Sequence, residues 1–590
     1  MGRIFHVSAL ALSVISCGGS GDTGGGGDGD DGICTPGDAY CGGPDGNDVW
    51  ECNGDGTGGK QVEDCPDACS NGACVTACQR AADDPSTVGC EFWAVDLDNE
   101  AFDTELGVSN DAAAQQFAVA VANENETPVE VTVTRNAARF GEPVAEEVVT
   151  QVTVPAADMM RIDLPQREVD GTMGQNGGYS RGSGSGTFVS SHAYRIVSSG
   201  PVVAYQFNPI VQQFSNDASV LIPVRALGSD YYVIGWPTAN ACGPASGPLH
   251  MDSIPDHTAV TVIGVEPDTD VEVVPTHPIK ASSGPSGMAI PATARRAPLH
   301  ATVGQYDVVN LESDQPEVDI EECFNYLDRD GDFTGTVVRS SKPVAVFTSL
   351  ERGIGLGGAH PPDPPDWDGN DCCTDHMEEQ MLPTTALGWK FTVSRSPIRS
   401  TDPDYVEPDI YRIMATVDGT RVTTNLPPPY DSFSLDAGKE KTFHAYRGFT
   451  ATAQGGAIVL AQVLVSQGYI PQGGIGDPSL IVFPPAEQQR DHYLFLVPPS
   501  WEKNYMAVAV PDGAQVAVDG LAIEMMAGCQ QGDIGDMDGT PYHQVTCAVD
   551  EGVHRVEADR PLGLTVYGYY NVGSYGYPGG SDLNIINPVE

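Results

Sequence analysis

The chain has 590 residues, 81 acidic and 29 basic, for a net charge of −52. An excess of that sign, spread along the whole length, argues against nucleic acid or an anionic membrane face as partner, because both need clustered Lys and Arg. It leaves cations, basic proteins and glycans, and it keeps a surface protein soluble through mutual repulsion.

In chain order, Met1 and Arg3 lead into Val7, Ala9, Leu10, Ala11, Leu12, Val14 and Ile15, then Ser16 and Cys17. That is the order of a secretory signal, residues 1–16. The apolar run is shorter than the roughly 20 residues that span a bilayer core. Val14-Ile15-Ser16-Cys17 resembles the lipobox of bacterial lipoproteins, which implies that Cys17 is acylated and becomes the new amino terminus. The implied location is the bacterial cell envelope, lipid-anchored, at the outer membrane or cell surface. The linker 17–33 is rich in Gly and Asp and reads as a flexible tether with nothing to bury.

Of the 15 cysteines, 14 remain once Cys17 is set aside. An even count in an exported protein predicts disulfides. Cys34, Cys41, Cys52, Cys65, Cys69, Cys74, Cys78 and Cys90 fall in residues 34–90, a stretch too poor in large apolar side chains to build a core, so it reads as a cysteine-stapled stalk. The short spacings Cys65/Cys69 and Cys74/Cys78 also suit a metal, but no histidine lies nearby and the compartment is oxidising.

From Phe92 onward, short alternating runs of Val, Ile, Tyr and Thr are broken by Gly, Pro, Asn and Asp, the pattern of an all-β protein. One unit recurs. Leu221-Ile222-Pro223-Val224-Arg225-Ala226-Leu227-Gly228 and Met381-Leu382-Pro383-Thr384-Thr385-Ala386-Leu387-Gly388 share Pro and Ala-Leu-Gly at equal offsets, and Leu480-Ile481-Val482-Phe483-Pro484 is a third copy. Asp217, Asp375 and Asp477 stand in front, so each unit is read as beginning there. A first hairpin is predicted from Ala259-Val260-Thr261-Val262-Ile263 to Asp270-Val271-Glu272-Val273, with copies turning at Asp418-Gly419 and Asp512-Gly513 and a relative at 117–133. A second hairpin is predicted to return through Pro201, Pro343, Ala457 and Pro561, each heading a strongly apolar strand. The expectation is tandem antiparallel β-sandwich-like repeats over 91–215, 216–350, 351–466 and 467–590. The alternative is a closed, propeller-like ring of four β-modules.

Pro201 to Asn208 with Ser215 to Pro223, Thr334 to Phe347, Cys372-Cys373-Thr374-Asp375-His376-Met377-Glu378-Glu379-Gln380, and Gly476 to Pro485 resemble the N-terminal domain family of IgGFc-binding protein, as found in myxobacterial secreted lipoproteins. The resemblance implies the fold family and an exported setting. It carries no catalytic residues.

Chemistry is densest at Cys372 to Gln380, where His376 and Glu379 suit a zinc hydrolase. Asp375 shares its repeat position with Asp217 and Asp477, however, and a capping role at a turn is the expectation for all three. Cys372 and Cys373 are expected to bond partners such as Cys242 and Cys323, and Cys529 to bond Cys547. Asp328, Asp330 and Asp332, and the run Asp533 to Asp538, have alternating carboxylates suited to calcium, though neither continues as an EF-hand. No other cofactor is expected. Tyr567, Tyr569, Tyr570, Tyr575 and Tyr577 lie among glycines and suit either an exposed contact surface or, equally, strand packing and edge turns. The reading overall is a tethered binding or adhesion protein for an extracellular protein or glycan, not an enzyme; the competing class is a metal-dependent hydrolase.

Overall fold

The computed structural model describes residues 34–588 apart from 44–45, 47, 100, 104–108, 171–185, 211–214, 239–255, 283–287, 315–330, 356–372, 471–473 and 500. The chain divides into two compact units, Met1–Arg80 and Ala81–Glu590.

In the first unit, Ala39–Gly42, Asp48–Cys52 and Gly59–Glu63 form an antiparallel meander, and Ala68–Ser70 pairs with Ala73–Val75. Disulfides join Cys34 to Cys52, Cys41 to Cys69 and Cys65 to Cys74. The buried apolar cluster is Val49 with Cys65 and Cys69, packed by Cys41 and Cys74. Half-cystines take the place of the aliphatic side chains that so polar a segment lacks.

The second unit repeats one two-sheet module four times, each sheet built on the same four strand positions. In the second module the outer sheet runs Leu299–Val303, Thr269–Val274, Val337–Ser340, Asp230–Tyr232. Its inner sheet runs Val308–Glu312, Thr258–Gly264, Val344–Gly353, Asp375–Gln380, with Phe188–Ser190 added at the Val308–Glu312 edge. The third module has the same two orders: Ser432–Leu435, Thr420–Thr424, Phe449–Gln454, Lys390–Val393 outside, and Glu440–Ala445, Asp409–Ala415, Ile458–Val463, Leu480–Phe483 inside. In the first and fourth modules one long strand, Tyr194–Asn208 or Gly552–Tyr570, serves both sheets.

These ladders correct the repeat as read from sequence. The predicted first hairpins do not pair. Thr258–Gly264 bonds Val308–Glu312 and Val344–Gly353, whereas Thr269–Val274 bonds Leu299–Val303 and Val337–Ser340. The short link between them carries the chain from inner to outer sheet. Alternation shows that one face is buried; it does not name the neighbouring strand. The second hairpins are instead one path that leaves the outer sheet and enters the inner one. Pro201, Pro343 and Pro561 stand at that crossing, where the strand changes partners and a missing N–H is tolerated. The strands at the repeated Asp also belong to the preceding module: Asp217–Val220 bonds Tyr194–Asn208, and Asp375–Gln380 bonds Val344–Gly353.

Inner strands are buried on both faces. In Ala118–Asn123, Val119 and Val121 enter the first module's core while Ala118, Ala120 and Ala122 enter the fourth's, as the two-residue period requires. Ala345 and Phe347 of the second module complete the first core. Ile410 and Val459 of the third complete the second, and Tyr567 and Tyr569 of the fourth complete the third. The sequence of cores returns to its start. At the centre, Asp217–Val220 and Leu480–Phe483 each pack against both Asp375–Gln380 and Gly573–Pro578. The Leu583 N–H donates to the Pro85 carbonyl at 2.7 Å and the Thr87 N–H to that of Ser581 at 2.9 Å. Sandwich-like modules and a closed ring, posed as alternatives, are both present.

Candidate functional site

The four axial strands bring the repeated acids together. Asp217 Oδ2 accepts from the Glu378 and Leu480 amides at 3.2 Å each, and its Oδ1 accepts from the Ser479 hydroxyl at 2.8 Å. Asp375 accepts from the amides of Asn216 at 2.6 Å and Ser574 at 3.3 Å. Asp477 accepts from the Gln467 and Cys373 amides at 3.1 and 3.3 Å, and its own N–H donates to Ser574 Oγ at 2.8 Å. Each side chain therefore bonds a module other than its own, so the local turn-capping role understates it. Ser574 holds the fourth position, which the acidic signature had no means of finding. Burial holds the Asp217 and Asp375 carboxyls well above the usual range and Asp477 at about 6; Asp375 also feels Asp477 and Asp217.

His376 and Glu379 lie on the Asp375–Gln380 strand, with 0 and 3 % exposure. Glu379 Oε1 accepts from the Val482 amide at 3.1 Å, and Gln380 Oε1 from the Ile222 amide at 2.8 Å. Glu378 Oε1 accepts from Gln206 Nε2 at 3.0 Å, and its Oε2 lies 3.5 Å from His376 Nε2. Successive strand positions point to opposite faces, so His376 faces with Glu378 and not with Glu379. Burial pushes the His376 imidazole down to about 3 and the Glu378 carboxyl up to about 8.

Other expectations meet specific fates. Asp332 accepts from Arg412 Nη1 at 2.6 Å, and that guanidinium lies 4.4 Å from the Trp236 ring centroid. Its carboxylate is thus part of a bond between the second and third modules. Asp328 and Asp330 lie outside the described residues, as do Cys17, Cys242, Cys323 and Cys372. Asp536 caps the Gly539 amide at 2.7 Å in a turn, and Asp538 pairs with Lys390. Cys529 bonds Cys547, and Cys78, Cys90 and Cys373 are each disulfide-bonded. Of the two readings of the terminal tyrosines, strand packing holds and the exposed surface does not: Tyr567, Tyr569, Tyr575 and Tyr577 are fully buried and Tyr570 partly so. Tyr575 stacks on Tyr577 at 5.6 Å, and the glycines beside them admit neighbouring rings. A Cβ at Gly568 would sit 1.9 Å from the Tyr575 ring.

A second acidic group escaped the sequence reading. Asp98, Glu312 and Glu351, and Asp98, Glu168 and Asp170, form two triads whose carboxylate oxygens lie within 4.8 Å of one another. They come from the ends of separate strands in the first and second modules, and no local spacing links them.

Two observations place the chain among known proteins. No curated protein matches it. The family model described as IgGFc binding protein matches residues 217–568, from the first axial strand nearly to the end of Gly552–Tyr570. That span is more than half the chain, and it leaves out the first module, whose two sheets have the same strand order as the others. The chain belongs to the IgGFc binding protein family.

Proposed function

We propose that this protein is a surface-tethered binding or adhesion lipoprotein, anchored through Cys17 in a bacterial envelope and presenting its β-modules to an extracellular protein or glycan. Membership of a binding family carries this reading. Support comes from the use made of the buried polar groups. Asp217, Asp375, Asp477 and Glu379 are spent on bonds between modules, which is how a rigid scaffold is held. The immunoglobulin partner in the family's name belongs to the protein so named and is not transferred. Among the described residues no helix is long and apolar enough to cross a membrane, so the tether rests on the signal and Cys17.

The charge of −52 favours a basic protein or a ligand bridged by cations. The test is a glycan and protein binding array probed with the purified chain, with and without calcium, together with membrane fractionation of Cys17→Ser. Selective, saturable capture by the array and release of the variant from the membrane are expected. Capture of nothing under either condition would refute binding, and an acylated, membrane-bound variant would refute the anchor.

A further inference from the structure

We propose that Asp98, Glu168, Asp170, Glu312 and Glu351 form a calcium site that fastens the first module to the second. Asp98 follows the Val88–Ala94 strand, and Glu168 and Asp170 follow Asp158–Asp163, all in the first module. Glu312 ends Val308–Glu312 and Glu351 lies in Val344–Gly353, two inner strands of the second. Within each triad, Asp98 with Glu312 and Glu351 and Asp98 with Glu168 and Asp170, the oxygens lie no more than 4.8 Å apart, close to the span that calcium–oxygen contacts of roughly 2.4 Å bridge, and Asp98 is common to both. The donors are carboxylates alone, the hard set that suits calcium rather than zinc or copper.

Independent of the clustering, one of these side chains lacks the partner that burial demands, and a second keeps an oxygen without a hydrogen bond. Asp98 is 8 % exposed, and among the described residues its carboxylate accepts no hydrogen bond and meets no cation. Burial and the charges of Asp170, Glu351, Glu168 and Glu312 all push its carboxyl upward. Glu312 is 3 % exposed, and its Oε2 accepts no hydrogen bond; Lys280 Nζ lies 3.7 Å away and His257 Nε2 4.0 Å. Gly186, at φ +76°, leaves room for that oxygen, since a Cβ there would lie 1.9 Å from it. Arg352 is held by Asp256 Oδ1 at 2.6 and 2.8 Å. A buried carboxylate without a partner costs several kcal/mol unless it is protonated or meets a cation. Asp98, common to both triads, is the carboxylate that a divalent ion would relieve.

The test uses the purified full chain, stripped with chelator and titrated with calcium chloride alone, by calorimetry and by thermal melting. Saturable binding is expected, with a rise in Tm of about 1 °C at roughly tenfold excess over Kd. Asp98→Asn should lose both responses. Because it removes a repelling charge, its chelated form should melt no lower than the chelated parent. If Asp98→Asn fails to fold, Glu351→Gln, at the partly exposed edge of the group, gives the same reading. No calcium binding by the parent would overturn the site, as would a full calcium response in a folded variant.

Discussion

The Glu378 carboxyl and the His376 imidazole face each other at 3.5 Å with neither exposed. With Glu378 near 8 and His376 near 3, both are neutral at pH 7. A carboxyl whose folded value lies above its ordinary 4.5 stabilises fully below that value and loses the contribution as pH rises toward 8. Glu378→Gln should therefore gain on the parent between pH 5 and pH 8, by about 1 kcal/mol or more, read as roughly 1 °C or more in Tm. A constant difference across that range would contradict the assignment. Asp217 makes a second test at this scale. Asp217→Ala orphans the buried amides of Glu378 and Leu480 and should cost about 3 kcal/mol or more in denaturant unfolding, whereas Asp217→Asn keeps an acceptor and should cost under half as much. The repeat made Asp217, Asp375 and Asp477 visible in the sequence. Their partners were not, because Asn216, Ser479 and Ser574 are brought to them only by closure of the ring.

Strands were the most legible elements and their pairing the least. Val260 and Val262 alternate with Thr261 in the manner of any strand, and that alternation is equally consistent with a hairpin and with a link between two sheets. The apolar runs at Val344 and Ile458 did announce strands buried on both faces, because such a run leaves no face for water. What lies against the second face was not written in any one repeat, since the neighbouring module supplies it. The small residues of Ala118–Asn123 belong to this contact: Ala120 is wholly buried in the core of the fourth module. Ala120→Leu should overpack it and cost about 1 to 3 kcal/mol, measured by denaturant unfolding. A neutral result would mean that this face meets solvent. The tyrosines near the end left two readings open for a related reason. Glycine beside an aromatic marks a turn in many chains, but at Gly568 it marks close approach of a ring.

At the scale of the whole molecule, every inner sheet serves two cores, so modules share stability instead of holding it separately. This is the property a rigid binding scaffold requires, and the proposed calcium site would add a fastener between the first and second modules. The stapled first unit follows different physics, for its core is mostly sulfur. Closure depends on residues far apart in the chain. Ser86 and Asp582 form an antiparallel bridge flanked by the Thr87–Ser581 and Leu583–Pro85 hydrogen bonds, the non-hydrogen-bonded geometry in which side chains come closest. That spacing suits a disulfide. The double variant Ser86→Cys, Asp582→Cys, oxidised and mapped by mass spectrometry of non-reduced peptides, tests the ring most directly. A peptide joining positions 86 and 582 in high yield is predicted. Two free thiols in a folded protein would contradict a closed ring.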